Sequence, residues 1–336
     1  MSNPLPFLKP VESVLSLTPE DRCLEEGQDS ILIPPRTLEG TCFLTYQIIR
    51  QSVYVGTHIL DHLLRNPPGN SSHLASLMLY RHALEIGDSI STLLRFGSPT
   101  TASILERSLF ETSLGLEFIL EKNTFHEDRA FCYQAFNQIE RFKTFTRYNP
   151  ATPEGRELHF ILDADKNLDA TVFPRKDLSK ERQVIDEILN SAKYKSFWDK
   201  FKAAKHKPKH WYSLCSTASD IRSLARVIGR ESVYVLLYKV WSQNAHAADV
   251  FSGVLSWTEE RTLQMHKLRG PVEKIKETTS LTANYLVRSH NLLLETYLKG
   301  HDIQKWFTQW YVGDYRSGFM WAISPTPLFS EPPPAS

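Results

Sequence analysis

The side chains that could do chemistry in this 336-residue chain are charged groups set in apolar surroundings. Arg107 and Glu111 stand four residues apart in an apolar stretch, and Arg81 and Glu85 repeat that spacing earlier in the chain. On a helix surface such a pair contributes only ~0.2–0.5 kcal/mol, whereas an unpaired buried charge costs several kcal/mol. We therefore expect both pairs to lie on inward faces of their helices, where they meet other polar groups.

A helical wheel at ~100° per residue predicts how these two helices are turned. It directs Glu106, Ser113 and Glu117 to solvent, and it sets Arg107 and Glu111 in line with the apolar residues Ile104, Leu114 and Phe118. In the preceding helix it places the other pair on one face with Asp88, Leu74, Leu77 and Met78.

A third element supplies a histidine. Between residues 232 and 248 the single formal charge is Lys239, which predicts a helix that is buried on most sides. One line along this helix carries Tyr238, Ser242, His246 and Asp249. A histidine in such surroundings is a candidate acid or base, or else a hydrogen-bonded core group.

These positions define a candidate catalytic site made of Arg107, Glu111 and His246, supported by Arg81, Glu85 and Ser242. If the substrate is RNA, the histidine would move the 2′-hydroxyl proton and an arginine would stabilise the charged phosphorane. The alternative is a structural network of arginine, glutamate and histidine that holds the helices in register. Arg261 and His266 also have the spacing of HEPN-type ribonucleases, but chance supplies such a spacing in a chain of this composition.

A lysine-rich segment is the candidate nucleic-acid contact. Seven lysines fall within residues 193–209, opposed by Asp199 alone, and aromatic residues lie between them. Lysines of this segment could bind phosphates while the aromatic rings stack on bases; the candidates are Lys200, Lys202, Lys205, Lys207 and Lys209. The alternative is an amphipathic helix whose aromatic residues face the core while its lysines stay in water.

Composition and missing motifs exclude several classes. The net charge of +1 gives no global attraction to nucleic acid or acidic lipid. We predict no metal and no cofactor, because paired Glu-x-x-His motifs, C-x-x-C pairs and glycine-rich phosphate loops are lacking. No apolar run reaches the ~18 residues of a membrane helix, and no secretory signal opens the chain. We predict a cytoplasmic protein without a membrane partner.

The elements that must position these residues are helices. Apolar residues recur three and four apart over most of the chain, which predicts an all-α, multi-helix bundle. We expect an irregular N-terminal arm over 1–37, a single helical domain over 38–300 with a loop or small hairpin at 150–178, and an aromatic, proline-rich tail over 301–336. The tail suggests a homo-oligomer.

Three segments carry a family resemblance: ASILERSLFETSLGLEFIL, HWYSLCSTASDIRSLARVIG and YVLLYKVWSQNAHAADV. They resemble the bacterial domain-of-unknown-function family 5677, an all-helical family with R-x-x-x-E and S-x-x-x-H motifs. Matching positions are Arg107 and Glu111, Trp211, and Ser242 and His246, and the resemblance covers about residues 40–255. A departure is the lysine-rich insertion before Trp211.

The resemblance implies a helical cytoplasmic bacterial protein and supplies no established activity. Two functions stay open on the residues alone. One is a nucleic-acid-directed effector, such as a HEPN-like ribonuclease with a toxin or antiphage role, which is an analogy with other helical ribonucleases. The other is a non-catalytic helical interaction or ligand-binding module.

Overall fold

A computed structural model describes residues 37–68, 72–121, 123–165, 176–238, 241, 255–257, 262–265 and 267–316. The helices are α1 Leu38–Arg65, α2 His73–Arg95, α3 Pro99–Leu120, α4 His126–Tyr148, α5 Pro153–Ala164, α6 Ser179–Leu189, α7 Lys195–Ala203, α8 Ile221–Val227, α9 Glu231–Val233, α10 Val272–Tyr297 and α11 Asp302–Trp310. Short 3₁₀ turns lie at Asn123–Phe125 and Trp211–Leu214, and π-helical turns at Tyr234–Tyr238 and Tyr311–Tyr315.

The all-α prediction is confirmed. The strands in the described chain are β1 Leu255–Trp257 and β2 Leu263–Met265, an antiparallel pair with Ser256 opposite Gln264. None of the helices in the described ranges combines the length and the apolar character needed to cross a lipid bilayer.

Local signals explain where several helices begin. Thr37 caps α1, because its hydroxyl accepts a hydrogen bond from the backbone N–H of Gly40 at 3.0 Å. Gly97 ends the turn after α2 at a φ of +68°, a backbone conformation that favours glycine, and Pro99 then opens α3. Apolar spacing and turn signals predict helices over about 37–65, 99–122, 126–148 and 272–298, and the bounds of α1, α3, α4 and α10 agree with these to within two residues.

Other bounds differ from the prediction. The loop or hairpin expected at 150–178 is wrong for residues 153–164, which form the helix α5. Thr152 caps this helix, because its hydroxyl accepts a hydrogen bond from the Gly155 N–H at 3.0 Å. The pattern of residues 180–204 predicts one charged helix, but the structure has two helices there, α6 and α7. Ser216 or Thr217 with Asp220 forms a capping signal that predicts a helix start there, but α8 begins after Asp220, whose carboxylate accepts a hydrogen bond from the Ser223 N–H at 2.7 Å.

The weakly charged segment that contains Lys239 predicts a helix over 231–256, but the helix ends before Ser256. Its start is α9 and the following π-helical turn, but Ser256 lies in β1. The expected N-terminal arm lies outside the described residues, apart from Thr37.

The chain divides into two compact units. Unit 1 comprises residues 1–71, 77–120 and 230–336, and unit 2 comprises residues 72–76 and 121–229. Compactness does not establish independent folding, so the single helical domain over 38–300 stays a prediction.

In unit 1, α10 packs against both α1 and α3. Helix α10 also approaches α2 closely at Gly87 of α2, where an added Cβ would lie 2.9 Å from Cδ1 of Leu286. The start of the predicted tail is helical, and Phe307 and Tyr315 are buried, the latter packed with Leu44 and Ile48.

His290 joins three helices in the core of unit 1. Its ring lies 2.7 Å from the Tyr80 hydroxyl at Nδ1 and 3.0 Å from the Ser52 carbonyl at Nε2. Full burial lowers the pKa of His290 to about 3, although the bond to Ser52 opposes that shift. The imidazole is therefore neutral at physiological pH, donating from Nε2 and accepting from Tyr80.

In unit 2, α4 packs against its neighbours around an apolar cluster that includes Cys132, Ile139, Ile185, Trp198 and Phe201. The buried Cys132 thiol donates to the carbonyl of Trp211 at 3.1 Å, which ties α4 to the 3₁₀ turn. Among the described cysteines, Cys42, Cys132 and Cys215 are free thiols.

Candidate functional site

Arg107 and Glu111 form the predicted pair on α3 and share a third partner, Tyr238. Arg107 Nε donates to Glu111 Oε1 at 3.1 Å and to the Tyr238 hydroxyl at 3.0 Å. The Tyr238 hydroxyl donates to the same Glu111 oxygen at 2.7 Å. The side chains of Arg107 and Glu111 are 26% and 35% exposed, so this cluster faces solvent in part.

The electrostatics of this cluster limit its chemistry. Burial raises the pKa of Tyr238 to about 12, and its hydrogen bond to Glu111 adds to that shift. The phenol therefore keeps its proton at neutral pH and is a hydrogen-bond donor, not a base. The guanidinium of Arg107 lies 4.9 Å from the centre of the Tyr238 ring and can offer charge to an anion. Proton transfer would need another group.

The prediction that Arg81 and Glu85 lie on an inward face is wrong. Arg81 Nη1 lies 2.9 Å from Glu85 Oε2, but the two side chains are 55% and 57% exposed. Their stripe of α2 also contains Met78, which is exposed, whereas the buried side of this helix carries residues such as Ala83 and Ile90. Asp88 bonds instead to Arg50 of α1.

The predicted orientation of α3 is also wrong in part. Glu106, Ser113 and Glu117 were expected in solvent, but they are 2%, 3% and 9% exposed. Ile104, expected on the buried stripe, is exposed. The physical reason is that α3 is buried on all sides from Thr112 to Leu120, so that half of the helix has no solvent side to identify.

Glu117 is a buried carboxylate held by two arginines. Arg230 Nε lies 3.1 Å from its Oε2, and Arg288 bonds to both carboxylate oxygens, with Nη2 at 3.0 Å from Oε2. These bonds connect α3 to the start of α9 and to α10. Sequence reasoning missed this cluster, although a glutamate inside the apolar run 114–120 was a signal of a buried charge that needs partners.

Glu106 is a buried carboxyl of a different kind. Burial and the nearby Glu277 raise its pKa to about 8, although a hydrogen bond from Trp241 opposes the shift. Its Oε1 has no hydrogen-bond partner among the described residues. Glu106 is therefore protonated at neutral pH, but it is too deeply buried to reach a substrate.

The histidine of the predicted site lies outside the described residues. His246 and Ser242 have no described placement, and neither have Arg261 and His266. The meeting of His246 with Arg107 and Glu111 stays a prediction. Within the described parts of the chain, no set of three or more histidine, cysteine, aspartate or glutamate side chains is arranged to hold a metal ion.

The lysine-rich segment has the arrangement of an amphipathic surface. Phe197, Trp198 and Phe201 are buried in the core of unit 2. The five candidate lysines are exposed; these are Lys200, Lys202, Lys205, Lys207 and Lys209. Stacking of bases on these three rings is therefore not available in this arrangement, whereas contact with phosphates is.

Two of these lysines touch only backbone oxygens among their described hydrogen bonds. Lys200 Nζ lies 3.4 Å from the carbonyl of Leu214, and Lys207 Nζ lies 2.7 Å from that of Lys202. Asp199, the carboxylate of the segment, lies 3.2 Å from both Lys195 and Lys202.

Comparison with known proteins identifies one family. No curated protein and no solved structure is significantly similar to this chain. A model for a family of unknown function, DUF5677, matches residues 73–261, which is more than half of the chain. The match includes Arg107, Glu111, Trp211 and His246 but starts well after residue 40, where the resemblance was expected to begin. The chain therefore belongs to the DUF5677 family.

Proposed function

We propose that this protein is a nucleic-acid-directed effector of the bacterial cytoplasm, which binds single-stranded nucleic acid through the lysine-rich surface of unit 2. The observation that carries the proposal is a local excess of charge. Residues 193–209 hold seven lysines against the single carboxylate of Asp199, which leaves six net positive charges in a chain whose total is +1.

The burial of the neighbouring rings supports recognition of phosphates by this surface. Because Phe197, Trp198 and Phe201 are packed inside, contact falls to the ammonium groups and thus to the phosphates. Phosphate contacts carry no sequence information, so binding should tolerate many sequences and depend steeply on salt.

The catalytic part of the proposal is a HEPN-like ribonuclease in a toxin or antiphage system, by analogy with other helical ribonucleases. Its support is the partly exposed Arg107 beside Glu111, a cation that could stabilise a charged phosphorane. His246 would be the proton-transfer group. Replacing His246 with alanine should abolish RNA cleavage and cell toxicity; unchanged activity removes it from the mechanism.

Binding is tested by fluorescence anisotropy with a labelled single-stranded RNA at 50 and 200 mM salt. We expect affinity to fall by several-fold to decades as salt rises, with a logarithmic slope of ~0.7 per phosphate contact. The variant K205Q/K207Q/K209Q should bind more weakly and lower that slope by ~2. A matched control, K143Q/K176Q/K180Q, removes three exposed lysines of unit 2 outside the segment. A flat salt response would contradict the proposal.

A specific observation favours the second candidate, a ligand-binding module. Unit 2 has an open groove of about 600 Å³ whose apolar wall includes Phe142, Leu158, Ile161 and Trp198. Its charged lining is mixed, since two glutamates and three cations share it. Crosslinking and sequencing of co-purified nucleic acid separates the two candidates: enrichment supports the effector, and its absence favours the module.

Self-association through the aromatic tail belongs to the same proposal. Trp306 is partly exposed on α11, which leaves an apolar ring at the surface of unit 1. Light scattering of the purified chain tests it, and a monomer at micromolar concentration would contradict it.

A further inference from the structure

A second polar site lies in unit 1, in a groove between α1 and α11. One face of α1 supplies five side chains to it, at a helical spacing: Tyr54, His58, Asp61, His62 and Arg65. Helix α11 supplies Asp302, Ile303 and Trp306. The groove has a volume of about 670 Å³ and is open to solvent.

The imidazoles of His58 and His62 line this groove, and each lies near another ring. The His58 ring lies 4.4 Å from that of Tyr54 and 5.9 Å from that of Trp306, measured between centroids. His301, at the N-terminus of α11, lies beside His62 with ring centroids 6.4 Å apart. The two rings meet edge to face, at an interplanar angle of 76°, so a substrate group that contacts one imidazole also lies near the other.

The carboxylates of the groove are compensated. Asp61 Oδ2 lies 2.9 Å from Arg65 Nε, and Asp302 Oδ1 lies 3.0 Å from Lys305 Nζ. The remaining ionisable side chains are the imidazoles and the Tyr54 phenol. An imidazole nitrogen can accept or donate a proton, so the histidines are the groups here suited to exchange a proton with a substrate.

We propose that this groove cleaves the phosphodiester of single-stranded RNA, with His62 and His301 as the proton-transfer pair. The inference rests on the RNA binding of the proposed function, and it places the catalytic centre at this histidine pair instead of at His246. None of the described residues that line the groove is serine, threonine or cysteine, so the lining offers no aliphatic hydroxyl and no thiol as a nucleophile; its one hydroxyl is the Tyr54 phenol. RNA carries its own nucleophile, the 2′-hydroxyl, and requires only a proton acceptor and a proton donor.

The step balances without a co-reactant. The neutral imidazole of one histidine accepts the 2′-hydroxyl proton while the 2′-oxygen forms a bond to phosphorus. The bond from phosphorus to the 5′-oxygen breaks, and the imidazolium of the other histidine protonates that leaving oxygen. The products are a 2′,3′-cyclic phosphate and a 5′-hydroxyl.

Neighbouring side chains fit the same substrate. The Arg65 side chain is 70% exposed and can approach the phosphate while its Nε holds Asp61. Trp306, 39% exposed, offers a face on which a base can stack. All of these residues lie outside 73–261, so the site would belong to this chain and not to the part that defines the family.

The test uses the full-length protein and a fluorescent DNA 12-mer that contains one ribonucleotide, with an all-DNA strand as the substrate control. We expect cleavage at the ribonucleotide only, with cyclic-phosphate and 5′-hydroxyl ends, in the presence of EDTA. The variants H62A and H301A should each lose ~10²–10⁴-fold in rate while keeping RNA affinity. His82→Ala is the matched control, because that exposed histidine lies on α2, away from the groove.

Four results would overturn the inference: cleavage that H62A and H301A leave intact, cleavage that EDTA abolishes, cleavage that His246→Ala alone abolishes, or no cleavage at all by the native chain. If salt-dependent RNA binding persists in any of these cases, the nucleic-acid binding of the proposed function survives and this catalytic site is wrong; a native chain that binds RNA without cleaving it also loses the ribonuclease part of that function. If binding is also lacking, both fail. Thermal unfolding of each variant checks that a lost activity is not a lost fold; His301 is exposed, so its variant should fold normally.

Discussion

Glu106 retains its proton at neutral pH because burial and the neighbouring Glu277 raise its pKa to about 8. In the unfolded chain the same carboxyl is ionised above pH ~4.3. Folding therefore takes up a proton at this residue between those two pH values. A group whose pKa is raised on folding stabilises the protein below its unfolded pKa, and that stability is lost as pH rises through the folded pKa.

We expect Glu106→Gln to stabilise the protein at pH 8, by on the order of 2 kcal/mol, since the amide cannot ionise and the hydrogen bond from Trp241 can persist. The gain should be smaller at pH 5, where the native carboxyl is protonated. Urea denaturation at both pH values measures this difference. Glu157→Gln, at an exposed position, serves as the control and should change little. A Gln variant that is less stable than the native chain at pH 8 contradicts the prediction.

At the scale of elements, unit 1 depends on close approaches between helices. Gly56 of α1 faces the His290 network, and a Cβ there would lie 2.4 Å from Leu84 Cδ2 and 2.7 Å from His290 Cε1. Leu84 can move, but the His290 ring is held at both nitrogens by Tyr80 and Ser52. Glycine at this position therefore lets α1, α2 and α10 pack together.

Gly56→Ala should destabilise the protein by ~1–3 kcal/mol, because overpacking exceeds the gain of up to ~1 kcal/mol from better helix propensity. The comparison is Gly313→Ala, a position where an added Cβ meets nothing within 4 Å. That variant should be neutral or slightly stabilising. Chemical denaturation of both variants gives the answer, and equal stability of the two would show that the contact at Gly56 relaxes without cost.

For the whole molecule, the net charge is near zero although one segment is strongly basic. The total is +1, yet residues 193–209 alone carry six net positive charges, so the rest of the chain is acidic. Long-range attraction to nucleic acid is therefore weak, and contact depends on the local surface. The response to acid is also global, because His290 lies within the core of unit 1 and must gain a proton when that core unfolds.

Acid should destabilise unit 1 through His290. Its folded pKa, about 3, lies below the usual value near 6.5. The unfolded chain then binds more protons, so stability present above pH 6.5 is lost as pH falls, by ~2 kcal/mol between pH 6.5 and 5. His290→Asn, which can still accept from Tyr80, should flatten this part of the curve. Urea denaturation at each pH tests it, and an unchanged slope in the variant would assign the acid sensitivity to other groups.

The helices were predictable because periodic apolar residues and start signals act over a few neighbouring residues. Pro99 after Ser98 marked the start of α3, and the apolar spacing marked α1 and α10. The pairing of Arg107 with Glu111 followed from their spacing, and Tyr238 was on the predicted polar line. The orientation of α3 could not be predicted from the sequence, because the second half of this helix is buried on all sides.

The sequence contains a local signal of the candidate groove in unit 1. Residues 54–65 place five polar or aromatic side chains on one face of a helix. What the sequence could not supply was His301, which comes from more than 200 residues away. Similarly, the arginines of Glu117 come from α10 and from the start of α9. Such partners depend on how helices pack, not on neighbours along the chain.

By itself, the sequence determined that this chain is helical, where long helices such as α1, α3, α4 and α10 begin and end, and which side chains are unusual for their surroundings. The tertiary structure alone decided which of those charges are buried, as Glu106 and Glu117 are, and which stay in solvent, as Arg81 and Glu85 do. The physical reason is that helix formation depends on interactions within a few residues. Burial of a charge instead depends on the partners that distant elements bring to it.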